Sequence, residues 1–191
     1  DASAASYFLA LGALTGGPVT ITGVGKDSMQ GDVAFADALE TMGAVVEKTD
    51  DSITVRRDKR QPLKSLRLDC TAIPDAAMTF VPMALMTQGS VQLTGIGSWR
   101  VKETDRLAAM ACEMRKFGAV VQEGPDFIVV SRSEEGMLKN ATVDTYDDHR
   151  MAMSLALAAC AGVTVTVNDP GCTAKTYPDY FEAFGRLTAH R

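Results

Sequence analysis

One stretch of this sequence is written twice. Gly17-Pro18-Val19-Thr20-Ile21-Thr22-Gly23-Val24-Gly25 matches Gly89-Ser90-Val91-Gln92-Leu93-Thr94-Gly95-Ile96-Gly97 at an offset of 72 residues. Met42-Gly43-Ala44-Val45-Val46 matches Phe117-Gly118-Ala119-Val120-Val121, and Asp51-Ser52-Ile53-Thr54-Val55 matches Asp126-Phe127-Ile128-Val129-Val130, both at 75. A partial third copy opens at Asp148, 73 residues after Asp75, which itself lies 74 after Asp1. It continues through Gly162-Val163-Thr164-Val165-Thr166-Val167. A chain repeating at this interval folds as similar supersecondary units that bury their apolar faces against one another.

Each copy reads as an apolar helix, a Gly-bounded strand, a second helix and a strand hairpin. The fold class is therefore α/β (α+β), built from repeated βαβαββ-type units. The first helices, about 2–14, 76–86 and 149–161, are apolar nearly all round, the pattern of helices buried on every side. Pro82 should kink or shorten the second of them, since it removes a backbone donor. The second helices, about 33–41, 105–117 and 178–187, carry charge on one face and should lie outside with the strands. The copies span about 1–57, 66–131 and 141–191 of one globular domain. Copy one lacks the strand that copy two has around Leu66–Leu68, and copy three lacks the closing hairpin. An unpaired sheet edge is expected, with the missing strands supplied upstream of Asp1.

Composition narrows the function. Of 191 residues 46% are hydrophobic, enough for a core without disulfides or a structural metal. Nineteen basic against 24 acidic residues give a net charge of −5, which leaves no broad cationic surface for nucleic acid. Cys70, Cys112, Cys160 and Cys172 form no C-x-x-C pair, and His149 and His190 are the only histidines, so zinc is not expected. Mostly buried, reduced thiols suit a cytoplasmic protein. The longest apolar stretch, 151–167, falls short of the ~20 residues of a membrane helix.

Against that acidic balance, several cations stand at helix starts. Arg100-Val101-Lys102-Glu103-Thr104-Asp105-Arg106 precedes an apolar stripe of Leu107, Met110, Met114 and Phe117. Lys102 and Arg106 point the same way if the first turn forms there. Glu103, four before Leu107, would then top the buried stripe, a setting that raises a carboxyl pKa toward that of a general acid. Arg150 falls in the first turn after Asp148, and Lys175 precedes a start capped by Thr176 with Asp179. Cations at helix N-termini oppose the dipole, and an anion offsets the cost. Singly, each fits an ordinary solvated helix start. Equivalent starts in repeated units cluster at one end, so Lys102, Arg106, Arg150 and Lys175 converge on a small polyanionic ligand. Asp75, and likewise Asp1, should cap its buried helix, and near Lys102 it could also orient or deprotonate a substrate hydroxyl. His149 reads as a packing residue rather than a nucleophile.

These residues resemble a known family. Asp1-Ala2-Ser3-Ala4-Ala5-Ser6-Tyr7-Phe8, Ser28-Met29-Gln30-Gly31-Asp32, Ile73-Pro74-Asp75-Ala76-Ala77-Met78, Arg100 to Arg106, Asp148-His149-Arg150-Met151-Ala152-Met153 and Cys172-Thr173-Ala174-Lys175-Thr176 resemble the C-terminal part of the EPSP synthases (3-phosphoshikimate 1-carboxyvinyltransferases) among the enolpyruvyl transferases. The resemblance covers essentially the whole chain. It implies a parent of two domains, each of three βαβαββ units around buried parallel helices, with the active site between them.

The resemblance further implies transfer of the enolpyruvyl group of phosphoenolpyruvate to the 5-hydroxyl of shikimate 3-phosphate, in aromatic amino acid biosynthesis. The family is the glyphosate target. By motif position, Asp75 acts at the 5-hydroxyl, Lys102 holds both substrates, and Glu103 moves a proton at the methylene carbon. Arg106 and Arg150 bind the phosphoenolpyruvate carboxylate and Lys175 faces the departing phosphate. Ser98 stands where many relatives carry Asn beside the shikimate phosphate. No metal or organic cofactor, nucleic acid or membrane is implied. The intact enzyme is expected to be a cytoplasmic monomer, and the fragment alone inactive without its N-terminal domain. Two other readings remain: the enolpyruvyl transferase acting on UDP-N-acetylglucosamine, and a non-catalytic anion-binding half domain that complements a partner. RNA-end-processing relatives of the same architecture fit the acidic balance poorly.

Overall fold

The computed structural model describes residues 2–23 and 30–169. Asp1, Ser28, Met29, the Cys172–Thr176 motif with Lys175, His190 and the helix expected over 178–187 lie outside the described residues.

The first copy forms α1 (Ala2–Thr15), β1 (Val19–Thr22), α2 (Gln30–Thr41), β2 (Val45–Lys48) and β3 (Ser52–Arg56). The second runs β4 (Leu63–Asp69), the short helix α3 (Phe80–Met83), β5 (Thr87–Thr94), α4 (Arg106–Lys116), β6 (Ala119–Glu123) and β7 (Ile128–Arg132). The third contributes β8 (Ala141–Val143), α5 (His149–Leu155) and β9 (Val165–Val167).

The helices at the heart of the fold are α1, α3 with its flanking 3-10 turns, and α5 with the 3-10 turn that continues it, all packed on one another. Tyr7, Leu9, Ala10, Leu11 and Ala13 of α1 are at most 1% exposed, which requires neighbours on every side. A buried hydrogen bond of 3.0 Å joins Ser6 of α1 to Thr79. Residues 76–86 do not form one α-helix. A single α turn is flanked by 3-10 turns at Ala76–Thr79 and Ala84–Met86, as a Pro82 without an amide proton requires. The third helix likewise tightens to 3-10 at Ala156–Ala161 and stops at Gly162, whose φ of 88° is the left-handed cap that glycine adopts at least cost.

Sheets flank these helices. In each hairpin one strand alternates inward and outward: Ile53 and Val55 of β3, and Ile128 and Val130 of β7, are all fully buried. β1-β3-β2 is an antiparallel sheet in that spatial order. β4-β5-β7-β6 has the same hairpin core plus β4, parallel to β5. β8 pairs with β9 in parallel as β4 does with β5. Among the described residues no strand pairs with the outer edge of β1. The second helices, α2 and α4, lie against the sheets, and Phe35 of α2 stacks on Phe80 with centroids 4.4 Å apart. Cys70 is buried, which pushes its thiol up to about 12, whereas Cys112 lies on the outer face of α4 and is exposed, against the expectation of mostly buried thiols.

Candidate active site

α4 begins one turn later than a helix carrying Lys102 would. Asp105 is its N-cap, accepting the Ala108 amide at 3.1 Å, and Arg106 is its first residue. Lys102 and Glu103 therefore precede the helix, and Glu103 does not top a buried stripe: its side chain is half exposed. A different device aligns Lys102. The preceding residues form a 3-10 turn, Gly97–Val101, anchored by the buried Trp99, whose indole N–H donates to the Pro74 carbonyl at 2.6 Å. Arg100 locks the other side, bonding Asp105 at 3.0 Å, Glu123 at 3.2 Å and the Gly124 carbonyl at 2.7 Å. Trp99 thus ties the Lys102 loop to the residue before Asp75. Ser98 is exposed on the same turn.

Asp75 stands at the N-terminus of its 3-10 turn yet makes no side-chain cap there. Its carboxylate is turned instead toward Arg106 at 3.1 Å and Lys102 at 3.9 Å. A capping Asp that gives up its cap for two cations has a use other than helix initiation.

Arg106 is the centre of the cluster. Its guanidinium is 1% exposed and every nitrogen has an acceptor. Nε donates to Asp148 at 2.8 Å and Nη1 to Asp75 at 3.1 Å, while Nη2 donates to Glu103 at 2.6 Å and to Asp148 at 3.3 Å. Asp148 is completely buried and also caps α5, accepting the Arg150 and Met151 amides at 2.9 and 3.4 Å. One carboxylate therefore fixes both Arg106 and the helix that carries Arg150.

The Arg150 guanidinium hydrogen-bonds the buried Tyr7 phenol of α1. Burial pushes that phenol above its ordinary value, and Arg150 pulls the other way. The His149 imidazole is held below its ordinary value by partial burial and then by Arg150; Asp148 and Glu103 act in the opposite sense. Asp75, Lys102, Glu103, Arg106, Asp148, His149 and Arg150 thus share one rim, drawn from two repeats.

The sequence reading missed two carboxylates here. Asp148 stands in the sequence only as the residue ahead of the third copy's helix, where its carboxylate can cap that helix and still reach a cation of another repeat. Asp32 is 4% exposed and lines, with Gly31, Ile73, Pro74 and Asp75, a cavity of about 190 Å³. Among the described residues its Oδ2 has no hydrogen-bond partner, and burial raises its carboxyl above the ordinary value.

The architecture is that of the enolpyruvyl transferases. Over 97% of this chain it superposes on 45% of the chain of EPSP synthase from Acinetobacter baumannii, with a TM-score of 0.75 at 23% identity. NikO, an enolpyruvyl transferase from Streptomyces tendae, matches over 98% of this chain and 43% of its own, with a TM-score of 0.74 at 19% identity. The family model described as EPSP synthase (3-phosphoshikimate 1-carboxyvinyltransferase) matches residues 1–184, and the chain belongs to that family. Proteins named 3-phosphoshikimate 1-carboxyvinyltransferase are 58% identical over 99% of the chain in Ralstonia nicotianae and 56% identical over 98% in Thiobacillus denitrificans. The chain spans 44% of the length of each.

Two outcomes test the cluster. Arg106→Ala leaves Asp148 buried and without its cation, and should cost about 3–5 kcal/mol in urea unfolding. Asp148→Asn on that background keeps a capping oxygen and should recover part of the loss; full additivity would show that the two side chains are not coupled. The lowered His149 value predicts a pH effect of definite sign. Its stabilising contribution is complete above the unfolded value of about 6.5 and is lost as pH falls through the folded one. Unfolding midpoints between neutral and mildly acidic pH should fall more steeply in the wild type than in His149→Gln.

Proposed function

We propose that residues 1–191 are one domain of a two-domain 3-phosphoshikimate 1-carboxyvinyltransferase. The enzyme moves the enolpyruvyl group of phosphoenolpyruvate onto the 5-hydroxyl of shikimate 3-phosphate and releases phosphate. The observation that carries this reading is the meeting of Asp75, Lys102, Glu103, Arg106 and Arg150 at one rim, in a chain of the EPSP synthase family. The same reading makes the enzyme a cytoplasmic monomer of aromatic amino acid biosynthesis and a glyphosate target, with no metal or organic cofactor.

Phosphoenolpyruvate is a poor electrophile until its C3 carbon is protonated and the growing charge is held by fixed cations. Arg106 and Arg150 hold its carboxylate. Every nitrogen of Arg106 already has a carboxylate partner, so the ligand must displace one. Glu103 is the most exposed of the three and the natural one to leave. Once off Arg106, the half-exposed Glu103 takes a proton from solvent and gives it to C3, while Asp75 takes the proton of the attacking 5-hydroxyl as its oxygen bonds C2. Loss of phosphate toward Lys175, carrying away the proton held by Asp75, with transfer of a methyl proton to Glu103, restores the C2–C3 double bond and gives the enol ether product. Lys102 spans the two substrates, and Ser98 meets the shikimate phosphate.

Phosphate release from the two substrates is the direct assay. The full-length enzyme should turn over, and the 191-residue chain alone should give none; substantial activity from it would show that the site is complete without its partner domain. Glu103→Gln in the full-length enzyme should lower kcat by about 100-fold or more with little change in either KM. Wild-type turnover in that variant would remove Glu103 from the proton path.

A further inference from the structure

α4 carries two fully buried charged side chains seven residues apart, Arg106 at its start and Glu113 in its third turn. Seven residues are two turns, so the two project from the same face about 10 Å apart. Arg106 belongs to the rim; Glu113 has its hydrogen-bond and ion-pair partners elsewhere among the described residues. Glu113 accepts the Lys116 ammonium at 2.6 Å, the Asp144 amide at 2.8 Å and the Tyr146 hydroxyl at 2.7 Å. Lys116 closes the knot by donating to the Asp144 carboxylate and the Thr142 carbonyl, both at 3.3 Å.

Asp144 and Tyr146 lie in the connection from β8 to α5. Tyr146 and Asp147 both adopt left-handed backbone conformations, with φ of 57° and 54°, that side-chain-bearing residues avoid unless their surroundings impose them. The next residue is Asp148, whose amide bonds the Thr145 carbonyl at 2.8 Å and whose buried carboxylate grips Arg106. α4 thus holds this connection at two points, Glu113 before the left-handed pair and Arg106 after it.

We infer that Glu113 is a positioning residue for the site: by holding Asp144 and Tyr146 it imposes the left-handed pair that delivers Asp148 to Arg106 and sets where α5, and with it Arg150, begins. An ion pair with Lys116 alone, three residues along the same helix, needs neither the Asp144 amide nor the Tyr146 hydroxyl. Burial, and then the bond to Glu113, hold the Tyr146 phenol well above its ordinary value, so it remains a donor across the working pH range.

The kinetic part of the test rests on the proposed reaction and uses the full-length enzyme. Tyr146→Phe removes one hydroxyl, and Glu113→Gln keeps an oxygen for the Asp144 amide. Tyr146→Phe and Glu113→Ala should raise KM for phosphoenolpyruvate about tenfold, with KM for shikimate 3-phosphate within about twofold of wild type and Glu113→Gln intermediate. Amide hydrogen exchange at Arg150 and Met151, the two groups capped by Asp148, should quicken about tenfold in Tyr146→Phe, while amides of β5 and β7 keep wild-type rates. Unchanged exchange at Arg150 and Met151 in a folded Tyr146→Phe variant overturns the inference, as does an equal rise in both KM values. A wild-type enzyme inert toward both substrates would sink the proposed reaction, while the exchange measurement still decides the role of Glu113.

Discussion

A guanidinium taken out of water must be given back its hydrogen bonds and a counter-charge, or the fold does not tolerate it. Arg106 meets that requirement through Asp148, Asp75 and Glu103, which come from three separate stretches of chain. The helix start of the third repeat, the turn ahead of α3 and the loop ahead of α4 are therefore positioned by one side chain. Arg106 also sits at the N-terminal end of its helix, where the dipole opposes a cation, so carboxylates are needed there on two counts. Opposite charges gathered at a buried helix start are costly to assemble, and their geometry is correspondingly hard to vary.

The repeat architecture explains why this arrangement falls at a rim. Buried helices in equivalent units have their starts at one end of the domain, and so the residues just before α3 and α5 meet there. The strands set the distances: β4 and β5 run parallel, with a register shift between Lys64 and Leu66, β8 and β9 run parallel as well, and each pair leads into or out of one of these helices. α4 then spans the gap between the second and third units, with Arg106 on Asp148 and Glu113 on Asp144. Loops built this way are held by side chains reaching across repeats, which suits a site whose members must stay aligned while ligands come and go.

Much of this was legible in the residues, and the failures have physical causes. Self-similarity disclosed the helix and strand order, since inward-facing pairs such as Ile53 and Val55 recur as Ile128 and Val130 with the period of two that strands impose. The helix interrupted at Pro82 followed from the missing amide. The start of α4 agrees with the helix read over 105–117, but the further turn that would carry Lys102 and bury Glu103 does not form. Lys102-Glu103-Thr104 has no local feature that forbids helix; the decisive groups are Trp99, which binds the Pro74 carbonyl, and Arg100, which binds Asp105, contacts that only tertiary structure reveals. Asp75 showed the same limit. Its position ahead of an apolar run is that of a cap, and only the nearness of Arg106 and Lys102 diverts its carboxylate. The partners of Glu113 were equally hidden, because Asp144 and Tyr146 lie about thirty residues away in sequence and in a different repeat.

Charge balance connects the site to the rest of the proposed enzyme. Lys102, Arg106 and Arg150 are set against Asp75, Glu103 and Asp148, and the lowered His149 adds no charge at neutral pH. This part of the rim is therefore close to neutral. In the proposed reaction two phosphorylated substrates bring several negative charges to this rim, where each charge taken out of water unpaired is expensive. Displacing Glu103 from Arg106 uncovers one cation, and Lys175 would add another. In the proposed enzyme the remaining positive charge would come from outside the described residues, a physical reason for such a site to be shared with a second domain.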